Sequence, residues 1–113
     1  MSGPGHNSFD PDRIAQELSE RGMAWADADA AYRALDDVTK SVLSECCIDS
    51  GEKSSAAQET VARTADKFRR HLSALADARR AANRARARLD TYRAWIELKR
   101  SEQATQRAEM QIR

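Results

Sequence analysis

Residues 61–96 read VARTADKFRRHLSALADARRAANRARARLDTYRAWI, and their spacing decides the fold. Val61, Phe68, Leu75, Ala82, Leu89 and Ile96 recur every seven residues without a miss. Thr64, His71, Ala78, Ala85 and Tyr92 hold the second position of the same repeat. Apolar residues at alternating steps of three and four line one stripe of an α-helix and seat it against another helix. After Gly51 neither glycine nor proline occurs again, and Ser55 followed by Gln58 three positions on has the pattern of a capping box. One helix from about residue 56 to about residue 110 is predicted, roughly 80 Å long at 1.5 Å per residue.

Working back toward the N-terminus, Asp49-Ser50-Gly51 is a turn signal. Before it, Trp25, Ala28, Tyr32, Leu35, Thr39, Val42 and Cys46 repeat the three-four spacing, with Val38 and Leu43 widening the stripe. They predict a helix over about 23–48. Asp10-Pro11 reads as an N-cap followed by a first-turn proline. Ile14 and Leu18 continue at helical spacing, and Gly22 is read as the stop of a short helix over about 10–21. Residues 1–9, with two glycines and one proline, read as a flexible tail. The expected architecture is all-α: a single helical domain over 10–113, an antiparallel hairpin with a long, coiled-coil-like C-terminal helix.

A 25-residue helix covers only about 37 Å of the long helix. Ala65 and Leu72 widen the apolar face as far as Leu75, but the same row then becomes Arg79, Arg86, Arg93, Arg100 and Arg107. Beyond about residue 78, Leu89, Tyr92 and Ile96 therefore need other cover. A second copy of the chain is the economical source, making these three an oligomer or partner interface and the protein a homodimer. A break near Asp77–Asn83, folding the end back, is the competing arrangement.

Composition restricts function. Of 113 residues 41% are hydrophobic, but 21 are alanine and only 5% of the chain is aromatic. That builds thin helix-on-helix seams rather than an enzyme pocket. No apolar run approaches the ~18 residues of a membrane span, and the first residues lack the basic and apolar regions of a secretion signal. Cys46 and Cys47 are adjacent, and neighbouring helical side chains diverge by about 100°, a poor disposition for a disulfide. Cys46 falls on the apolar stripe as a small core residue, and Cys47 is expected to be the exposed thiol. A reducing, cytoplasmic location in a bacterial host cell is the expectation.

The formal charge of +1 hides an asymmetry. Residues 1–52 hold 11 acidic and four basic side chains, and residues 53–113 hold 15 basic, 12 of them arginine, and seven acidic. Arginine makes bidentate contacts to phosphate and carboxylate and stacks on flat rings. Within 79–88 there are five arginines, Arg79, Arg80, Arg84, Arg86 and Arg88, and no acid. Such a cluster suits DNA or RNA phosphates. Downstream, Arg93 lies near Trp95, which could stack a base. The competing reading is a solvated helix face: Asp90 is four residues after Arg86 and three before Arg93, as in ordinary intrahelical ion pairs. Asp27, Asp29, Asp36 and Asp37 lie on the outward side of their helix, where they neutralise the basic half or imitate a phosphate strand.

No catalytic set is expected. His6 falls in the tail and His71 on the seam, as a packing or pairing histidine. No Cys/His/carboxylate group has zinc-ligand spacing, so neither metal nor cofactor is anticipated. Gly51-Glu52-Lys53-Ser54 lacks the earlier glycine and strand of a phosphate-binding loop. Trp25 and Tyr32 read as hairpin anchors.

Gly5-His6-Asn7-Ser8 resembles the start of many small alphaproteobacterial proteins, including phage-borne ones and a nucleoid-associated DNA-binding family whose helices differ from these. The stretch from Tyr92 to Met110 looks like the C-terminus of small helical phage or prophage proteins. The resemblance implies a mobile-element origin. The leading expectation is a non-enzymatic phage-type accessory protein that binds nucleic acid and supports DNA replication, recombination or packaging. The alternative is a protein-binding module, such as an inhibitor of a host defence complex (an anti-defence role) or a small virion component, meeting a host or phage protein.

Overall fold

The computed structural model describes residues 9–112. The described residues form four α-helices and no strand: α1 (Pro11–Asp37), α2 (Thr39–Asp49), α3 (Ser55–Thr64) and α4 (Asp66–Ile112). The expected all-α architecture, a helical hairpin with a long C-terminal helix, is what forms. Residues 1–8, with the Gly5–Ser8 motif and most of the anticipated tail, lie outside the described residues.

α1 starts as its sequence predicts. The Asp10 side chain accepts from the Asp12 N–H at 3.1 Å, and the Ile14 N–H donates to the Asp10 carbonyl at 3.0 Å. Gly22, however, does not stop the helix: the segments expected at 10–21 and 23–48 run together through it. A glycine ends a helix by taking up a left-handed conformation, and inside a helix it costs only about 1 kcal/mol. Gly51 takes the first course, with φ +75°, and Gly22 the second. The interruption falls instead at Val38, between α1 and α2. There the Thr39 hydroxyl donates to the Leu35 carbonyl at 3.3 Å, a side-chain bond that competes with the helix ladder. After α2, Ser50 and Gly51 make the predicted turn, with the Ser50 hydroxyl donating to the Cys47 carbonyl at 2.7 Å.

The helix expected over 56–110 is also divided. Ala65 is extended (ψ 141°), its N–H closing on the Ala62 carbonyl at 3.1 Å, and the Thr64 hydroxyl back-bonds to Val61. The cap of α3 is Ser54, one residue before the one predicted. Its hydroxyl accepts from the Ala57 N–H, while Gln58 reaches back to the Glu52 carbonyl. The break re-phases the seam, so that Ala62 is fully buried and Val61, its predicted seam neighbour, is exposed. From Phe68 onward the predicted repeat holds. α4 continues through residues 77–83 without the break considered there.

The chain divides into two compact units. The hairpin unit, 26–83, has its core where Cys46, Ala62 and Phe68 meet, with Val42, Leu43, Cys47 and Ala65 packed around them. α2 and α3 pack directly on each other. Cys46 is the small core residue anticipated, whereas Cys47 is not the exposed thiol expected but is half-buried against the same core. His71 pairs with the Thr39 hydroxyl at 2.8 Å, as a pairing histidine on the seam should. Lys67 bonds the Glu45 carboxylate, the one ion pair among the described residues that joins two helices. That hydrogen bond, with the charge of Glu45, raises the Lys67 pKa above its ordinary value.

The terminal unit comprises residues 9–25 and 84–112 among those described. Its buried side chains include Leu89, Tyr92 and Ile96. The anticipated interface is therefore already covered within one chain. The start of α1 supplies that cover, a source not considered from the sequence: Leu18 and Gly22 lie beside Leu89 and Ile96, and Arg21 over Tyr92. The reason given for a second copy falls away.

Candidate nucleic-acid interface

The arginines of 79–88 meet different fates, set by their position relative to the seam. In the hairpin unit, the Arg79 guanidinium lies 5.6 Å from the centre of the Tyr32 ring and donates to its hydroxyl at 3.4 Å. Arg80 pairs with Asp77 at 3.3 Å. Both are taken up by the unit's own side chains.

In the terminal unit, Arg86 covers the Trp25 ring at 4.7 Å and bonds Asp90 at 3.2 Å. Arg93 approaches Asp90 more loosely, at 3.8 Å. Tyr32 is half-buried in the hairpin unit, as expected of a hairpin anchor, whereas Trp25 is half-buried in the terminal unit instead, and an arginine guanidinium lies over each ring. Packing on aromatic rings thus accounts for part of the arginine bias that had suggested phosphate binding.

Arg84 and Arg88 remain. Both are exposed, and neither pairs with a carboxylate among the described residues. With Thr91 and Trp95 they stand at i, i+4, i+7 and i+11 on α4, an arc of about 60° at 100° per residue. Arg21 adds a third positive charge nearby, its guanidinium 4.6 Å over the Tyr92 ring and 3.5 Å from the Arg88 carbonyl. Trp95 is half-buried, stacked on Tyr92 at 5.4 Å and on Phe9 at 6.0 Å. Burial raises the Tyr92 pKa above its ordinary value; Glu17 adds to the rise, and Arg21 and Arg13 oppose it.

Sequence reasoning missed Arg21 and Phe9. Arg21 could have been found, because 14, 18, 21 and 25 continue the three-four spacing once Gly22 is not taken as a stop. Phe9 carried no such signal.

The charge asymmetry of the two halves does not survive folding. Residues 1–25 and 84–113 together hold ten basic and eight acidic side chains, and residues 26–83 hold nine and ten. Each unit combines parts of both halves and is nearly neutral. Asp29, one of the outward acids, pairs with Arg33 on its own helix at 2.9 Å. Any anion-binding field is therefore local to particular faces. Among the described residues no helix is long and apolar enough to cross a membrane.

No protein-family model, curated protein or solved structure matches this chain.

Proposed function

We propose that the protein is a non-enzymatic accessory protein of phage type that binds single-stranded nucleic acid through the terminal unit, in support of DNA replication, recombination or packaging. One observation carries this reading: two arginines without acidic partners, Arg84 and Arg88, share an arc of α4 with the aromatic face of Trp95. Single strands are held by cationic side chains along the backbone and aromatic rings under the bases, without a groove to read. Of the remaining predicted contacts, Arg79 and Arg86 cover rings and Arg80 pairs with Asp77, while Arg93 lies on the other flank of the seam, away from Arg84 and Arg88. In this reading Phe9 occupies the Trp95 ring in the free protein, and an incoming base replaces it.

The test is fluorescence anisotropy with a labelled oligothymidine at 50 and 200 mM salt. Two or three phosphate contacts predict an affinity loss of roughly tenfold between those salt concentrations. The double variant Arg84→Gln/Arg88→Gln should flatten the salt dependence, Phe9→Ala should tighten binding, and Arg79→Gln should change neither. Absence of binding at 50 mM salt overturns the reading. It would turn attention to a protein partner, for which Leu98, Met110 and Ile112 on the last turns of α4 are among the exposed apolar side chains.

A further inference from the structure

An arginine-on-ring contact occurs in both units at the same heptad position. Arg79 covers Tyr32 in the hairpin unit, and Arg86 covers Trp25 in the terminal unit. In the sequence the two arginines are seven apart along α4 and the two rings seven apart along α1. The next step of seven pairs Arg93 with Leu18, and there the ring is missing. Position 22, on the same side of α1, carries no side chain, and a Cβ built on it meets nothing within 4 Å. In place of a ring there is an open groove of about 360 Å³ lined by Leu18, Gly22, Leu89, Ile96 and the polar trio Arg93, Glu97 and Arg100.

We infer that this groove binds a small aromatic anion: an indole- or phenol-sized ring carrying a carboxylate, with the ring beneath Arg93 and the anionic group on Arg100. The two occupied contacts define the ring, because Trp25 and Tyr32 show what an arginine of this row covers. Half-buried Leu18 gives it an apolar wall, with the nearly buried Leu89 and Ile96 at its base, and a pocket at the lower end of the usual ligand range accommodates one such molecule. Charge defines the rest. Arg93 reaches its nearest carboxylate only at 3.8 Å, and Arg100 holds Glu97 at 3.4 Å with both groups largely exposed. A ligand carboxylate replaces Glu97 on Arg100 in a bidentate pair that Glu97, held on the same helix, does not form. The site lies on the flank of the seam opposite Arg84 and Arg88 and does not depend on the nucleic-acid reading.

Titration of the full chain with indole-3-acetate, followed by NMR shifts of the Leu18, Leu89 and Ile96 resonances, tests the assignment. Indole, which lacks the charge, and acetate, which lacks the ring, are the comparison probes. The expected result is saturable binding of indole-3-acetate, at least tenfold tighter than either fragment. Arg93→Gln should weaken it about tenfold, the value of a partly desolvated cation–ring contact, and Glu97→Gln should strengthen it. Gly22→Leu, whose Cβ meets nothing within 4 Å, should abolish it by filling the groove while the circular dichroism stays helical. If that variant fails to fold, Arg93→Gln and Glu97→Gln still decide the matter by their opposite signs. No saturation at millimolar ligand, equal affinity for indole and indole-3-acetate, or binding unchanged by Gly22→Leu would each overturn it.

Discussion

The two units follow one heptad pattern but bury it differently. In the hairpin unit three helices meet over Cys46, Ala62 and Phe68, and one large ring with two small neighbours suffices because α3 supplies a third wall. In the terminal unit α4 meets the start of α1, and the buried residues of the seam are larger: Leu89, Tyr92 and Ile96. Two helices leave the edges of a seam open to water. There the edges are closed by Arg86 over Trp25 and Arg21 over Tyr92. Arginine takes over from apolar residues because its stem packs on a ring while its head stays hydrated. An arginine-rich helix is thus partly a device for sealing a narrow seam.

The largest effects should come from the two cores themselves. Phe68→Ala is expected to cost about 3–5 kcal/mol and Leu89→Ala about 2–4 kcal/mol in urea unfolding. Phe68 should be the costlier, since its ring is the one large side chain in a three-walled core. A greater loss at Leu89 would reverse the contrast between the units.

A second, smaller effect concerns the seal. Arg86→Ala should destabilise by about 1 kcal/mol, mostly from the lost cover of Trp25. Its ion pair with Asp90 adds little, because both groups are about half exposed. Arg84→Ala, on the open face, should stay within about 0.5 kcal/mol. Equal losses at Arg84 and Arg86 would show that the ring contacts do not seal the seam.

The smallest effect at neutral pH, and the most diagnostic, belongs to Tyr92→Phe. The folded-state pKa of this phenol is raised by burial, so its contribution is complete below the ordinary tyrosine value near 10 and is lost as pH rises through the folded value. Stability of the parent chain should fall from about pH 10 upward. The variant should match it at pH 7 and lose less over that alkaline interval. Lys67, raised by Glu45 in the hairpin unit, loses its contribution over a window that begins at its own ordinary value of 10.5. A decline that persists in Tyr92→Phe but disappears in Lys67→Met would place the alkaline weakness in the hairpin unit instead.

Much of the fold was legible in residue spacing. Phe68 through Ile96 lie on the seam where the seven-residue repeat put them, and Cys46 and His71 occupy the roles their positions implied. The candidate site was legible as a cluster of five arginines, but not in its division of labour. Arg84 and Arg88 differ from Arg79 and Arg86 only in which side of α4 they occupy relative to the rings of α1.

By itself, the sequence determined that this chain is helical, where the seam runs from Phe68 onward, and that the turn falls at Gly51, because helical periodicity and a left-handed glycine are local properties. Tertiary structure decided the rest. It carried α1 through Gly22, since covering Leu89, Tyr92 and Ile96 outweighs a cost of about 1 kcal/mol for one helical glycine. It broke the helix at Ala65, where α3 packs on α2. It also merged an acidic and a basic half into two nearly neutral units, because antiparallel packing brings together residues far apart in the chain.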